Sequence, residues 1–171
     1  YAAIVRSRYA HGILRGISTD AARAMPGVLG VYTGKDLAAY GTLRCSMLLK
    51  NRDGSDMRTP ARPALPTDKV RFVGDPVAFV VAETALQAKD AAEAVELDID
   101  PLPAVTQASL AGAPDAPLIY EDAPGNLSLD FHFGESEKVA AAFKAAAHVT
   151  RVPLVNSRIV VNPMEPRAAI A

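Results

Sequence analysis

The stretch VRFVGDPVAFVVAETALQAKDAAEAVELDIDPLPAV, residues 70–105, changes its hydrophobic period twice and so spells strand, tight turn, strand, helix, strand. Val70, Phe72, Val77, Phe79, Val80 and Val81 are β-branched or aromatic, the side chains that suit a pleated surface. Gly74-Asp75-Pro76 interrupts them, because Pro76 biases Asp75 away from the helical region and Gly74 can take a positive φ. Thr84 followed by Gln87 is a capping-box pattern that opens a helix. Ala85, Ala88, Ala92 and Val95 then recur at helical spacing with Ala91 beside them, while Gln87, Lys89, Asp90 and Glu93 fill the opposite face. Val95, Leu97 and Ile99 next alternate with Glu96, Asp98 and Asp100 until Pro101 and Pro103 stop the strand. The switch from period 2 to about 3.6 and back predicts a mixed α+β fold, with the 84–95 helix and a shorter helix after Thr19 packed on strands.

Toward the amino terminus, residues 1–8 and 13–17 read as strands. Ser18-Thr19-Asp20 offers an N-cap for a short helix over 21–24, which Pro26-Gly27 ends. Residues 28–33 read as a further strand and 36–39 as one helical turn. The span 40–67 scatters Arg44, Lys50, Arg52, Asp53, Asp56, Arg58 and Arg62 among Gly and Pro, the composition of an exposed loop. On the carboxyl side, Ala, Pro, Gly and Asp dominate 107–125, which reads as a linker. Residues 126–133 alternate as a strand, with Leu127, Leu129, Phe131 and Phe133 on one side. After Gly134, Val139, Ala142, Phe143 and Ala146 form a helical stripe, which predicts a buried Phe143. Residues 148–154 read as a strand interrupted by Pro153.

Bulk properties exclude several function classes. The chain has 171 residues, half of them hydrophobic and 22% charged, so a packed core is expected and wholesale disorder is not. A net charge of −1 lacks the basic excess of a nucleic-acid surface. No apolar run approaches the roughly 18 residues of a membrane span, which favours a cytoplasmic setting. One cysteine, Cys45, forms no internal disulfide and cannot ligate an iron–sulfur cluster alone. The chain opens inside the apolar run Tyr1–Val5 and stops inside Ala168–Ala171, which reads as a piece of a longer protein.

Candidate chemistry is sparse. His11, His132 and His148 have no neighbours at metal-ligand spacing and read as surface or capping histidines, and no metal site is expected. Gly27, Gly30 and Gly34 match neither a dinucleotide loop nor a phosphate loop. Asp98 and Asp100 fall on the wet face of one strand. Asn126-Leu127-Ser128 is formally a glycosylation sequon. Glu165, between Pro163 and Pro166 and beside Arg167, could line a substrate channel with that arginine or form an ordinary ion pair at a domain junction.

Ordered fragments of the chain resemble the large subunits of the molybdenum hydroxylases, the family of xanthine dehydrogenase, aldehyde oxidase and aerobic carbon monoxide dehydrogenase. They are Arg6-Ser7, Ala10-His11, Ile17-Ser18-Thr19, Met25-Pro26-Gly27-Val28, Thr33-Gly34-Lys35-Asp36-Leu37, Val73-Gly74-Asp75-Pro76-Val77-Ala78, Val81-Ala82-Glu83-Thr84, Asp90-Ala91-Ala92-Glu93 and Leu102-Pro103-Ala104-Val105. These match the amino-terminal α/β-hammerhead domain, and Asn162–Ala171 resembles the start of the molybdenum-binding region. Arg8 stands where the family more often has Pro. The resemblance implies a hammerhead domain over 1–106, a linker over 107–125 and the beginning of the molybdopterin-binding catalytic region over 126–171. It implies a complete protein that oxidises an aldehyde, N-heterocycle or CO with water as oxygen source. Electrons would pass to an Fe–S small subunit and a FAD medium subunit, in a homo-oligomer of heterotrimers. The general-base glutamate and the glycine-rich molybdenum-cofactor loops of the family match no position here, so no catalytic residue is carried over. Arg44-Cys45-Ser46 is similar to an active-site element of carbon monoxide dehydrogenases, but that element belongs to the catalytic domains, and Cys45 reads as a loop or half-buried thiol.

A competing resemblance lies at Thr67-Asp68-Lys69-Val70, which is similar to the modified-lysine hairpin of lipoyl carriers. Those carriers are small all-β sandwiches with no place for two helices. Lys69 is therefore expected to be a solvated, unmodified charge. The isolated chain is expected to bind no molybdenum cofactor, to be inactive, and to expose apolar surface around Val160, Val161 and Ile170.

Overall fold

The structure is a computed structural model that describes residues 1–155. The chain divides into one compact unit over Tyr1–His132 and a second that starts at Phe133. In the first unit the elements are β1 (Ala2–Arg6), β2 (Gly12–Ser18), α1 (Asp20–Arg23), β3 (Val28–Thr33), β4 (Thr42–Leu43), β5 (Arg62–Pro63), β6 (Lys69–Val70), β7 (Pro76–Ala82), α2 (Ala85–Glu93) and β8 (Glu96–Pro101). Among the described residues they form a sheet ordered β1-β7-β3, a second ordered β6-β2-β8, and a ribbon of β4 with β5. Every pairing is antiparallel. The fold is the mixed α+β arrangement expected.

β7 lies at the centre because its residues are apolar on both faces. Ala78 and Val80 pair with Val5 and Val31 and face Ala22 of α1 and Ala91 of α2, forming the first core. Val77 points the other way and joins Leu14, Val70 and Ile99 in the second core. Ile17 and Leu97 touch both. Burying Val80 completely contributes roughly 1.5–3 kcal/mol. The opposite face of the first sheet carries the row Ile4, Phe79, Tyr32, with the two rings tilted at 6.2 Å between centroids.

α2 begins as its sequence dictates. Thr84 Oγ1 accepts from the Gln87 backbone N–H at 3.2 Å, and Gln87 Oε1 accepts from the Thr84 N–H at 3.0 Å. Ala88 and Ala91 are fully buried, and their small size lets the helix sit close on β1 and β7. Ala85, expected on that face, is exposed. β6 is shorter than the 70–72 strand expected: the chain leaves the ladder at Arg71 to enter the turn at Gly74, where φ is +87°. The helical turn expected over 36–39 is a 3-10 turn at Ala38–Tyr40.

Further expectations of strand and burial are corrected. Residues 126–133 form no strand. Gly125 and Asn126 take positive φ values of 66° and 53°, and the segment bonds to the 52–58 loop instead of a sheet. Alternation alone makes no strand when neither face has a core to meet. Within 107–126 the chain turns twice into 3-10 geometry, at Ala108–Leu110 and Pro124–Asn126, and buries Ala123. Asn126 ties them, donating from Nδ2 to the Ala111 and Pro117 carbonyls and accepting from the Ile119 N–H. In the second unit, α3 (Ser136–Ala145) forms where expected, but no residue of it is buried and Phe143 is 61% exposed. Residues 148–154 form no strand, being exposed and interrupted by Pro153, which has no N–H to donate.

Candidate functional site

The most constrained polar cluster of the first unit surrounds the Gly74-Asp75-Pro76 turn. Ser7 N–H donates to the Asp75 carbonyl at 2.9 Å, and Gly74 N–H returns a bond to the Ser7 carbonyl at 2.8 Å. Arg71 N–H donates to Asp75 Oδ2 at 3.0 Å, and Arg6 Nη1 donates to the Gly74 carbonyl at 2.9 Å. These bonds stitch the end of β1 to the loop between β6 and β7. Asp75 is only 9% exposed, and burial holds its carboxyl above the ordinary aspartate range against the opposing pull of the Arg71 N–H, Arg62 and Arg71.

Arg71 is a hub for its surroundings. Its guanidinium lies 4.7 Å from the Tyr120 ring centre, and it donates to the Lys69 carbonyl at 3.1 Å and to Asp68 Oδ2 at 3.3 Å. Lys69 pairs with Glu121, whose carboxyl this contact holds below the ordinary glutamate range. The side chain of Lys69 is 19% exposed, so it is not the solvated charge expected but a clamp on residues 120–121. A lysine so held, opening a two-residue strand in a fold with helices, does not fit a carrier hairpin.

Other residues singled out in the sequence stay apart. His11 is not a surface histidine: it is 5% exposed, and Nδ1 donates to the Pro103 carbonyl at 2.9 Å. The ring is buried because the 11–12 and 101–103 segments run side by side. His132 and His148 are exposed. Cys45 is exposed, its thiol 3.2 Å from the Met47 carbonyl. Asp98 and Asp100 lie on the wet face as expected, with Asp100 pairing with Arg15 at 2.6 Å. Glu165, Arg167, Val160, Val161 and Ile170 lie outside the described residues.

One concave site was not legible in the sequence. It measures about 470 Å³ and opens between residues 51–58 and 127–130, lined by Asn51, Arg52, Asp53, Arg58, Ser128 and Asp130 among others. Arg52 N–H donates to the Asp130 carbonyl at 2.8 Å, and Arg58 N–H to the Ser128 carbonyl at 2.9 Å. Its partners are about seventy residues apart, a separation at which local patterns carry no signal. Arg52 also pairs with Asp130 at 3.4 Å, and the Ser55 hydroxyl and N–H hold the Asp53 carboxyl below its usual range. The site is open and its charges are largely matched, so it can hold a small polar molecule but presents no nucleophile with a base beside it.

Pterin binding needs a deep pocket with several donors converging on the ligand. The described residues do not fit that group: the concave sites lined by Asn51, Arg58 and Asp130 and by Ile4, Arg8 and Glu96 are open, no group of three His, Cys, Asp or Glu among the described residues could hold a metal, and the single thiol is exposed. No helix among the described residues is long and apolar enough to cross a membrane.

Residues 1–103 match the family described as aldehyde oxidase and xanthine dehydrogenase, a/b hammerhead domain. The chain belongs to this family. It is 34% identical over 175 aligned positions to the nicotine 6-hydroxylase large subunit of Paenarthrobacter nicotinovorans, a match covering 100% of this chain and 20% of the relative. It is 31% identical to the carbon monoxide dehydrogenase large chain of Afipia carboxidovorans, covering 98% of this chain and 21% of that one. Among solved structures, the reconstituted CO dehydrogenase from Oligotropha carboxidovorans superposes with a TM-score of 0.65 at 32% identity, over 86% of this chain and 19% of the other. The hammerhead chain thus spans about a fifth of the length of the relatives it matches.

Proposed function

We propose that this hammerhead chain is the amino-terminal lobe of the large subunit of a molybdenum-dependent oxidoreductase. The observation that carries the reading is the hammerhead match over residues 1–103, joined to large-subunit relatives that align with the whole chain. The complete protein would hydroxylate an aldehyde or N-heterocycle, or oxidise CO, with water supplying the oxygen. Its electrons would leave through an Fe–S small subunit and a FAD medium subunit, in a cytoplasmic homo-oligomer of heterotrimers. The lobe itself contributes packing: the Asp75 turn and the Lys69 and Arg71 clamps make a rigid body that the catalytic domains can rest against. Residues 126–171 begin the catalytic region in this reading, and Glu165 and Arg167 line the substrate channel.

Purifying the complete natural polypeptide with its partner subunits tests the proposal. Molybdenum should be present in that protein, with dye reduction driven by one of purine, aldehyde, N-heterocycle or CO. The 171-residue chain alone should carry no stoichiometric molybdenum and reduce no dye. A complete protein without molybdenum would refute the activity, and turnover by the short chain would mean the active site lies within it. Within the active protein, Glu165→Ala or Arg167→Ala should raise KM with molybdenum content unchanged; an unchanged KM removes both from the channel.

A further inference from the structure

We propose that the outer edge of β1 is a docking site for an extended segment of a partner polypeptide, which adds as a strand in the groove between β1 and β8. The two are edge strands, one of each three-stranded sheet. They wall a groove of about 620 Å³ whose apolar lining includes Ile4, Val5, Ala92, Val95, Leu97 and Ile99. Val5, Val95 and Ile99 are buried, so the floor is already core, while Ile4 is 46% exposed.

The ladder shows what would complete this edge. The Tyr1 nitrogen donates to the Ala82 carbonyl at 2.8 Å, and the Ala82 N–H returns a bond to the Tyr1 carbonyl at 3.0 Å. Bonds in an antiparallel pair alternate, so Tyr1, Ala3 and Val5 turn their N–H and C=O toward β7. The bond from the Ser7 N–H to the Asp75 carbonyl continues the alternation past the register shift after Val5. Ala2, Ile4 and Arg6 therefore turn their N–H and C=O outward, and no described residue bonds to these groups. Donors and acceptors repeating at every second residue are the complement of another strand. A compact apolar ligand would cover the lining and leave that row unmatched.

The other edges of the two sheets are blunted. β3 has a register shift between Val28 and Gly30, and β6 is two residues long with Lys69 held by Glu121. β8 exposes Glu96, Asp98 and Asp100 along its length. β1 from Ala2 to Val5 is uncharged and regular, with none of these guards.

The chemistry of the occupant follows from the walls. A segment of about five residues, roughly 17 Å when extended, covers Ala2–Arg6. Its alternate side chains enter the groove and are β-branched and apolar. The others meet the rim, where Arg8, Lys89, Glu93 and Glu96 make no ion pair with any described residue. A rim of both signs matches a segment whose outward residues carry both signs. With β8 as the far wall, the groove admits one strand and not the whole sheet of a second copy.

The test uses the complete natural polypeptide and, as probe, the peptide acetyl-Glu-Val-Lys-Val-Glu-Val-Lys-amide. Amide hydrogen exchange should find Ala2, Ile4 and Arg6 unprotected in the polypeptide alone and protected once the peptide is added. Ile4→Pro removes an outward N–H and none of the bonds to β7, so the variant should fold and bind the peptide at least about tenfold more weakly. If it does not fold, Ala2→Pro at the start of the strand takes its place. No binding at millimolar peptide, or binding that survives the proline, would overturn the proposal. So would protection of these amides before any peptide is added, which would mean that the polypeptide fills its own groove. Self-association that the proline abolishes would name a second copy as occupant and overturn it equally.

Discussion

Gly12 of β2 is the position where the packing of the second sheet is tightest, and replacing it tests the description of that sheet. A Cβ on Gly12 would lie 2.5 Å from Ile99 Cγ2 and 2.9 Å from the Asp100 carbonyl oxygen. Ordinary contacts between carbon atoms are about 3.5–4.0 Å, so the neighbours must retreat by roughly 1 Å. Neither yields easily: Ile99 is in the core with Leu14, Val70 and Val77, and Asp100 belongs to the β8 backbone. Overpacking of this kind costs about 1–3 kcal/mol. Gly→Ala in a strand also gains about 0.5–1 kcal/mol of backbone entropy, which must be separated out. Gly16 supplies the control. It lies in the same strand, and a Cβ there would meet only Asp98 Cβ at 3.9 Å. Both variants gain the entropy term, so their difference isolates the steric one. Urea unfolding of the 171-residue chain, followed by far-ultraviolet circular dichroism, should find Gly12→Ala less stable than Gly16→Ala by about 1–3 kcal/mol at similar m-values. In a thermal scan the gap corresponds to roughly 2–12 °C. Equal midpoints, or a more stable Gly12→Ala, would refute the close approach of β2 to β8.

Thr84→Ala should lower stability by about 1 kcal/mol, with Thr84→Ser restoring most of it, since the hydroxyl closes the capping box with Gln87; urea midpoints decide. Asp75→Asn should change the pH profile. Burial raises the folded carboxyl above 3.8, so the folded state binds more protons than the unfolded one just above that pH, and wild-type stability falls as pH rises through the folded pKa. The amide keeps the acceptor for the Arg71 N–H but cannot titrate. The variant should therefore gain on the wild type as pH rises from about 3 to about 7, and a flat difference would show that the carboxyl is well solvated. Phe143→Ala should stay within about 0.5 kcal/mol of the wild type, because the ring lies on an exposed helix; a loss of several kcal/mol would show the ring buried.

Local chemistry was enough for much of this fold. The Thr84–Gln87 cap, the turn at Gly74 and the alternation of Val95, Leu97 and Ile99 depend on residues within a few positions of one another, and each appears where the sequence puts it. The family is legible for the same reason, because its fragments lie on those caps and turns. Tertiary structure alone decided which amphipathic patterns found something to cover. Residues 126–133 alternate as well as β8 does, yet β8 lies against β2 and they have no sheet to join. The stripe on α3 is cleaner than that on α2, but α2 packs on β1 and β7 while Phe143 faces solvent. His11, Lys69 and Asp75 show the same divide. Their burial depends on Pro103, Glu121 and Ser7, distant partners whose approach is set by sheet register and not by neighbouring residues. A sequence displays the periodicity of a side chain; only the packed chain supplies the surface that removes it from water.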